Sequence, residues 1–486
     1  MAESPQTTQQ PDYPENIDAA VLKIAGVVIL GVIMSILDIT VVNVALPTFQ
    51  EEFGSAADPL EYSHVAWTVT AYTLALATVI PMTGWAADRF GPKRLFMVAI
   101  GLFTAGSVLC ATAQDINTLI AFRVLQGLGG GMIMPLGMTI MTRAAGPRRM
   151  GRLMAILGIP MLLGPILGPI VGGWLIENAS WHWIFLINLP LGVVGGIAAL
   201  KWMPDLRAPV SRFDAAGYGL LAFGMIAVSL SIDALSGHAP RQAALVVLLV
   251  AGLAALVAYW LHAARASAPL FPLTLFRTRT FSIGLLGNMF ARLGSSGMPY
   301  MIPLLLQVAL GFPATQAGLM MVPVAIAGMF SKRIVVPLVQ RFGYRNVLLV
   351  NTVLTGLTMA SFALVDAGQP LWLHLLQFAV FGAVNSLQFT AMNTLALRDL
   401  GGSEASAGNS LLSMVMMLAM SLGVATAGGL LGAFGGEPAG TAPMLSAFRW
   451  TFVCLGALTM ASAAIFAQLG PTRRISERVV DTADRG

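Results

Sequence analysis

The sequence predicts an all-α membrane protein with fourteen transmembrane helices, and three observations carry that prediction. Charged residues make up only 10% of the 486 residues and hydrophobic ones 57%, whereas soluble domains carry about 25% charged residues. Apolar stretches of about 20 residues, each enough to cross a hydrocarbon core ~30 Å thick as a helix, recur between short polar breaks. Basic residues gather in alternate breaks.

The first polar segment, MAESPQTTQQPDYPENIDAA, contains no basic residue. It lacks the charged start and cleavage site of a signal peptide, so span one is expected to stay in the mature chain. The predicted spans are 22–46, 65–83, 93–113, 117–142, 152–176 and 183–203, then 214–233 and 243–263. The last six are 280–309, 314–337, 346–366, 371–397, 405–434 and 447–468. A twelve-span alternative leaves 214–263 peripheral, yet both of its runs are long enough to cross. The expected organisation is a tail (1–21), a six-helix half (22–203) and linkers with two inserted helices (204–279). A second six-helix half (280–468) and a tail (469–486) complete it.

Orientation follows from the basic residues. With the N-terminus in the cytoplasm, Arg241 and Arg449 fall outside, Arg123 and Arg292 fall within spans, and every other Lys and Arg is cytoplasmic. Both termini are then cytoplasmic. The loop 48–64 carries Glu51, Glu52, Asp58 and Glu61 instead. The positive-inside bias accounts for a pI near 9.5, and no nucleic-acid partner is implied.

Two loops repeat. ADRFGPKRLF (87–96) and VQRFGYRNVL (339–348) share Arg-Phe-Gly at Arg89 to Gly91 and Arg341 to Gly343. Each lies between the second and third spans of its six-span half. Parallel halves of this kind pack around a central site near the midplane and rock against each other.

Deep charges are few. Asp38 is the only ionisable side chain between Ala25 and Leu46, and an acid at that depth costs several kcal/mol. It lies roughly 12 Å from the outer end of span one, and Arg123 lies roughly 9 Å into span four from the same side, at 1.5 Å per residue. An ion pair between these helices is therefore geometrically possible. Desolvation and a nearby guanidinium pull a carboxylate's proton affinity in opposite directions, so a pair that opens and closes exchanges a proton. The alternative is a static pair holding two helices in register.

Arg292 lies roughly 18 Å into span nine, near the midplane. Asn43, Gln126, Arg292, Gln377, Asn385 and Gln388 are the candidate cavity side chains. The alternative for Arg292 is a structural role satisfied by backbone carbonyls. Two deep arginines against one acid suit an anionic cargo, since a carboxylate binds Arg in bidentate fashion. Gly164, Gly168 and Gly172 recur every four residues in span five and allow close helix packing. Pro165 and Pro169 between them soften the helix. Cys110 and Cys454 give neither a disulfide framework nor a metal site. No nucleotide-binding, zinc or nucleophile-elbow signature appears, so neither an enzyme nor a cofactor is expected.

Four stretches, LDITVVNVALP (37–47), GWAADRFGPKR (84–94), RVLQGLGGGMIMP (123–135) and GPILGPIVGG (164–173), together resemble the signatures of the major facilitator superfamily. They are most similar to its fourteen-span drug:proton antiporter branch, and the resemblance extends over essentially the whole chain. It implies a major facilitator-type fold of two six-helix halves plus two inserted helices. It further implies export of a small molecule across the bacterial inner membrane, driven by protons.

The resemblance associates Asp38 and Arg123 with proton coupling. It makes Gly84, Asp88, Arg89, Gly91, Lys93 and Arg94, with Arg341, Gly343 and Arg345 of the second copy, a cytoplasmic gate. It makes Gly164, Pro165, Gly168, Pro169, Gly172 and Gly173 the helix that marks exporters. The sequence departs from the pattern at Ala86, where Leu is usual, and at Gln340, which stands where Asp88 does in the first copy. Two rival functions stay open: an exporter of an organic anion such as citrate or metal-citrate, and a non-transporting membrane sensor or scaffold. The sensor has no need of paired gate loops.

Overall fold

The computed structural model describes residues 18–54, 60–145, 164, 167–205, 212–235, 242–366, 368–400, 402–435 and 441–470. Among them there are helices and no strand. The first eight helices are α1 (Ala19–Phe53), α2 (Tyr62–Phe90), α3 (Pro92–Ala111), α4 (Ile116–Ala145), α5 (167–178), α6 (Trp183–Leu186 running into Asn188–Trp202), α7 (Ala215–Leu235) and α8 (Gln242–Ala263). α9 joins Arg279–Ser295, Met298–Leu304 and a π turn at Leu305–Ala309. α10 joins Ala314–Met320 to the first part of Val322–Ser361, and α11 is the rest of that helix after Gly343. α12 (Leu371–Leu397), α13 (Gly402–Gly435) and α14 (Thr441–Ala461 with Ala463–Ala467) follow.

Ten helices among the described residues are long and apolar enough to cross a membrane. The difference from fourteen predicted spans has physical reasons. The stretch Ala314–Leu364 is counted once although it reverses at Gly343. α9 is interrupted at Ser296 and Gly297, just before Pro299 and Pro303, where missing amide donors weaken a helix. The apolar part of α7, Ala215–Ser231, is short, and most of span five lies outside the described residues.

The repeated Arg-Phe-Gly turns the chain twice in the same way. Gly91 (φ 91°) ends α2 and precedes α3, and Gly343 (φ 76°) separates α10 from α11. Side-chain-bearing residues rarely adopt such positive φ values.

α4 packs on α2 and α3, while α1 packs on α4 and α6. In the last six helices α10 and α11 pack on α12, and α9 packs on α12, α13 and α14. The two sets meet where α2 packs along α13 and α1 touches α9. α7 pairs with α8 and touches both α2 and α13, so the hairpin straddles that seam.

The hairpin is clamped at Asp214. Its carboxylate accepts from the Gly217 and Leu270 amides and from His262 Nε2 at 2.9, 3.2 and 2.7 Å. Burial alone raises the proton affinity of Asp214, but these donors win and hold its carboxyl below the usual range.

The hydrophobic cores show which end is closed. Near the ends of α1, α5, α9 and α13 and the start of α2 and α10, one continuous core draws on both sets. It contains Val42, Phe49 and Val65 together with Tyr300, Leu305 and Leu431. Toward the Gly91 and Gly343 turns the buried core divides. One part is built from the first six helices, with Phe96 and Ile133, and another from the last six, with Val347 and Leu395. A third joins Leu74 and Ala77 of α2, through α7 and α8, to Phe281, Leu412 and Leu418 of the last six. Among the described residues the two sets share one continuous core at the acidic-loop end, and at the basic-loop end they are joined mainly along α2, α7 and α13.

Candidate functional site

α4 reaches its neighbours closely because glycines face them. A Cβ on Gly127 would stand 2.6 Å from the Tyr72 carbonyl oxygen, and one on Gly129 would stand 2.5 Å from the Phe103 nitrogen. Such small-residue faces let membrane helices approach backbone to backbone. That approach puts Arg123 inside the first six helices, with no exposed side-chain surface.

Arg123 Nη1 donates to Asp38 Oδ2 at 2.5 Å and to Gln126 Oε1 at 2.6 Å, and its Nε donates to the Thr68 carbonyl at 3.0 Å. Its guanidinium lies 4.0 Å from the Tyr72 ring centroid, a favourable cation–π geometry. Asp38 Oδ1 accepts from Gln126 Nε2 at 2.7 Å and from Asn188 Nδ2 at 3.3 Å. Ser107 Oγ accepts from the same two amides, at 2.7 and 3.3 Å. The predicted contact between Asp38 and Arg123 is therefore present, embedded in a larger polar cluster. These bonds offset much of the cost of burying the two charges, although Arg123 Nη2 and Asn188 Oδ1 are buried without a partner.

A cavity of about 350 Å³ lies between the two helix sets and is lined by Thr40, Asn43, Arg292, Lys332, Asn385 and Ser386, among others. Among the described residues no Asp or Glu lines it. Arg292 Nε donates to Asn288 Oδ1 at 3.2 Å, its guanidinium stacks 4.1 Å from the Phe389 ring centroid, and its Nη2 is buried without a partner. Met321, Met329, Met392 and Met420 add polarizable, adaptable walls. α1 serves both sites: Ile39, Thr40 and Asn43 face the cavity, while Asp38 is 1% exposed.

Three of the six predicted cavity residues, Asn43, Arg292 and Asn385, line this space. Gln126, Gln377 and Gln388 do not. Gln126 serves the ion pair, Gln377 donates to Ser361 Oγ at 2.9 Å, and Gln388 joins Asn351 and Thr352 at 2.8 and 2.7 Å. Each amide satisfies itself between helices, as a polar group in low dielectric must. Ser107, Asn188 and Lys332 were not singled out from sequence. Ser107 and Asn188 are isolated polar residues in apolar runs, which was the available signal.

The loop residues differ in what they touch. Asp88 accepts from Arg143 Nη2 of α4 at 2.6 Å, and Lys93 Nζ donates to the Leu200 carbonyl at 2.8 Å. Gly84, Arg89, Arg94 and Arg341 are exposed, and Gly91 and Gly343 are buried. The Arg345 Nε is buried without a partner. The contacts of Asp88 with Arg143 and of Lys93 with Leu200 stay within the first six helices.

The glycine face of α5 meets α1. A Cβ on Gly164 would collide with Ile36, one on Gly168 with Thr40, and one on Gly172 would stand 3.0 Å from Val41. Pro165 lies outside the described residues. On its other side α5 meets α10, where Gly173 faces Ala314 and the Pro169 carbonyl faces Gly318. Glu177 accepts from the Thr315 amide and hydroxyl at 2.8 and 2.5 Å. Gln307 Nε2 donates to the Val44 carbonyl at 3.0 Å. These contacts close the acidic-loop end. Among the described residues no group of three or more His, Cys, Asp or Glu is placed to hold a metal.

The profile of the Major Facilitator Superfamily matches residues 28–423 and 284–482. The chain is 45% identical over 445 residues to the "Putative multidrug resistance protein MdtD" of Serratia proteamaculans, covering 91% of this chain and 92% of that one. It is 44% identical over 467 residues to the protein of that name from Yersinia enterocolitica, covering 94% and 98%. Its fold is similar to that of a D-xylose-proton symporter, with a TM-score of 0.67 at 15% identity over 93% of this chain and 98% of that one.

Proposed function

The chain belongs to the major facilitator superfamily, and from that premise we propose that it is a proton-coupled secondary transporter exporting small molecules across a bacterial inner membrane. The relatives' names support drug efflux, and the basic loops support cytoplasmic termini. Residues 22–203 and 280–468 are the rocking halves, and 204–279 is the insert between them. The observation that carries the reading is the fully buried pair of Asp38 with Arg123, because Asp38 lies on α1, the helix that also lines the cavity.

In this orientation the end with the less continuous shared core faces the cytoplasm, which supports reading the molecule as inward-facing. Cargo enters the cavity between the halves while Asp38 is paired with Arg123. Rocking closes the basic-loop end and opens the other, where a proton from outside neutralises Asp38 and weakens its hold on Arg123. A carboxylate and a guanidinium in low dielectric attract strongly, and removing one charge changes which packing of α1 and α4 is favoured. Because α1 forms part of the cavity wall, that change reaches the cargo. Return to the inward-facing state carries the proton in. The Asp88 loop is the cytoplasmic gate. Its pairing with Arg143 inside one half agrees with an open gate.

A second reading concerns the cargo. Among the described residues Arg292 and Lys332 face the cavity and no acid does, which favours an organic anion over a lipophilic cation. Proteoliposomes loaded with either citrate or a lipophilic cation, under an imposed pH gradient, test both readings. Gradient-driven export of one of them is expected. Flux indifferent to the gradient refutes proton coupling, and no flux of any cargo favours the sensor reading.

A further inference from the structure

We infer that Gln126 is the positioning residue that makes protonation of Asp38 and undocking of Arg123 a single event. The inference rests on the reading of Asp38 as the proton site. The side chain of Gln126 has no exposed surface, and its two ends face different partners. Oε1 accepts from Arg123 at 2.6 Å, while Nε2 donates to Asp38 at 2.7 Å and to Ser107 at 2.7 Å.

That orientation is enforced by chemistry. A guanidinium only donates, so the amide oxygen must face Arg123 and the amide nitrogen must face Asp38. With Arg123 docked, Asp38 therefore meets donors alone: Arg123 on Oδ2, and Gln126 and Asn188 on Oδ1. Such a ring suits a carboxylate and repels a carboxylic acid. A proton on Oδ1 would point at the Gln126 N–H bonds, and a proton on Oδ2 would point at Arg123.

Against Gln126 the acid form fits Oδ1 only if that amide rotates by half a turn; Asn188, 3.3 Å away with its Oδ1 buried and unpartnered, is the longer, weaker alternative. The Gln126 oxygen then accepts from Asp38, and its nitrogen is turned against Arg123, donor against donor. Arg123 must leave. The converse holds too: when Arg123 withdraws, the amide is free to rotate and Asp38 can take the proton. Rotation thus links the two events without Gln126 itself titrating. The other titratable groups facing this cluster among the described residues are Tyr72 of α2 and Cys110 of α3, whose Sγ donates to Gln126 Oε1 at 3.7 Å. α6 contributes Asn188 and Phe185, which do not titrate.

The test uses the full chain in proteoliposomes, with citrate and tetraphenylphosphonium as probes and a pH-sensitive dye for proton movement. Gln126→Met keeps the length of the side chain and removes both hydrogen-bonding ends. Exchange of the transported probe without a gradient is expected to stay within about twofold, while gradient-driven accumulation falls about tenfold or more, the weight of one charge-assisted hydrogen bond. A merely structural residue would lower both together. Gln126→Met with the parent's gradient-driven accumulation overturns the inference.

If Gln126→Met loses exchange as well, Gln126→Glu decides. It keeps the acceptor for Arg123 and sets a second carboxylate against Asp38, so that the two share a proton. Coupled transport with its pH profile moved upward by about one unit is expected, and an unmoved profile overturns the inference. Asp38→Asn run beside them separates the two ideas. If it still accumulates probe against a gradient, the proton-site reading fails, whatever the Gln126 variants do.

Discussion

α4 and α12 are the fourth helices of the first and last six, and each carries a pair of large side chains three residues apart at its interior. In α4 the pair is Arg123 and Gln126, tied to Asp38. In α12 it is Phe378 and Phe381, both packed on Phe362, with Phe378 stacked at a ring separation of 5.5 Å. The last six helices keep their deep cation, Arg292, at the cavity instead, stacked on Phe389. One side of the molecule buries a titratable pair away from the cavity, and the other presents unpaired positive charge to whatever enters. The proposed proton site thus lies within the first six helices and the deep cation of the cavity in the last six, with α1 bordering both.

The sharpest way to break this division is Asp38→Asn. It should lower gradient-driven export by about 100-fold, the scale set by about 3 kcal/mol for breaking a buried pair, while membrane insertion is unchanged. Uptake under an imposed pH gradient reads the first, and fractionation of membranes reads the second. Next comes Arg292→Gln. It should raise KM for an anionic cargo by about 10- to 100-fold, as expected for a lost charged hydrogen bond of about 1.5–3 kcal/mol, and leave the pH profile in place. A shifted profile would show that recognition and coupling are not separate.

Gly318→Ala addresses the seal. Its new Cβ would fall 2.2 Å from the Pro169 carbonyl oxygen, and overpacking of that kind costs about 1–3 kcal/mol. Labelling of Ser296→Cys by an impermeant maleimide, added from the acidic-loop side of a variant lacking Cys110 and Cys454, should rise about fivefold or more. Asp88→Asn is the mildest. The Asp88–Arg143 side chains are 23% and 27% exposed, so the pair contributes under about 1 kcal/mol and transport should change no more than about fivefold. Gln340→Asp in the second loop copy should change nothing measurable, which sharpens the asymmetry between the loops.

The helical, membrane-spanning character was legible because so few residues are charged, and the Arg-Phe-Gly repeat marked two of the three positive-φ glycines among the described residues, Gly91 and Gly343 but not Gly311. The depth of Asp38 and Arg123 was enough to bring them together, since helix rise is constant. The amides were harder. Gln126, Gln377 and Gln388 all read as polar groups in apolar helices, and nothing local distinguishes an amide aimed at a cavity from one satisfied by the next helix. That depends on the rotation of each helix about its axis, which is set by glycine contacts with neighbours. Lys332 went unremarked because it sits where a span ends and looked like an ordinary interfacial anchor, although it reaches the cavity wall.

The shared core at the acidic-loop end also bears on how such a protein is blocked. Phe49, Tyr300 and Leu305 are buried in that shared core, whereas toward the basic loops the described contacts between the two sets run mainly along α2, α7 and α13. A competitive inhibitor of this state has to arrive from the same side as the cargo. Compounds applied outside a cell must cross the bilayer before they meet their target, so potency on whole cells and potency on inverted vesicles will differ by the ease of that crossing.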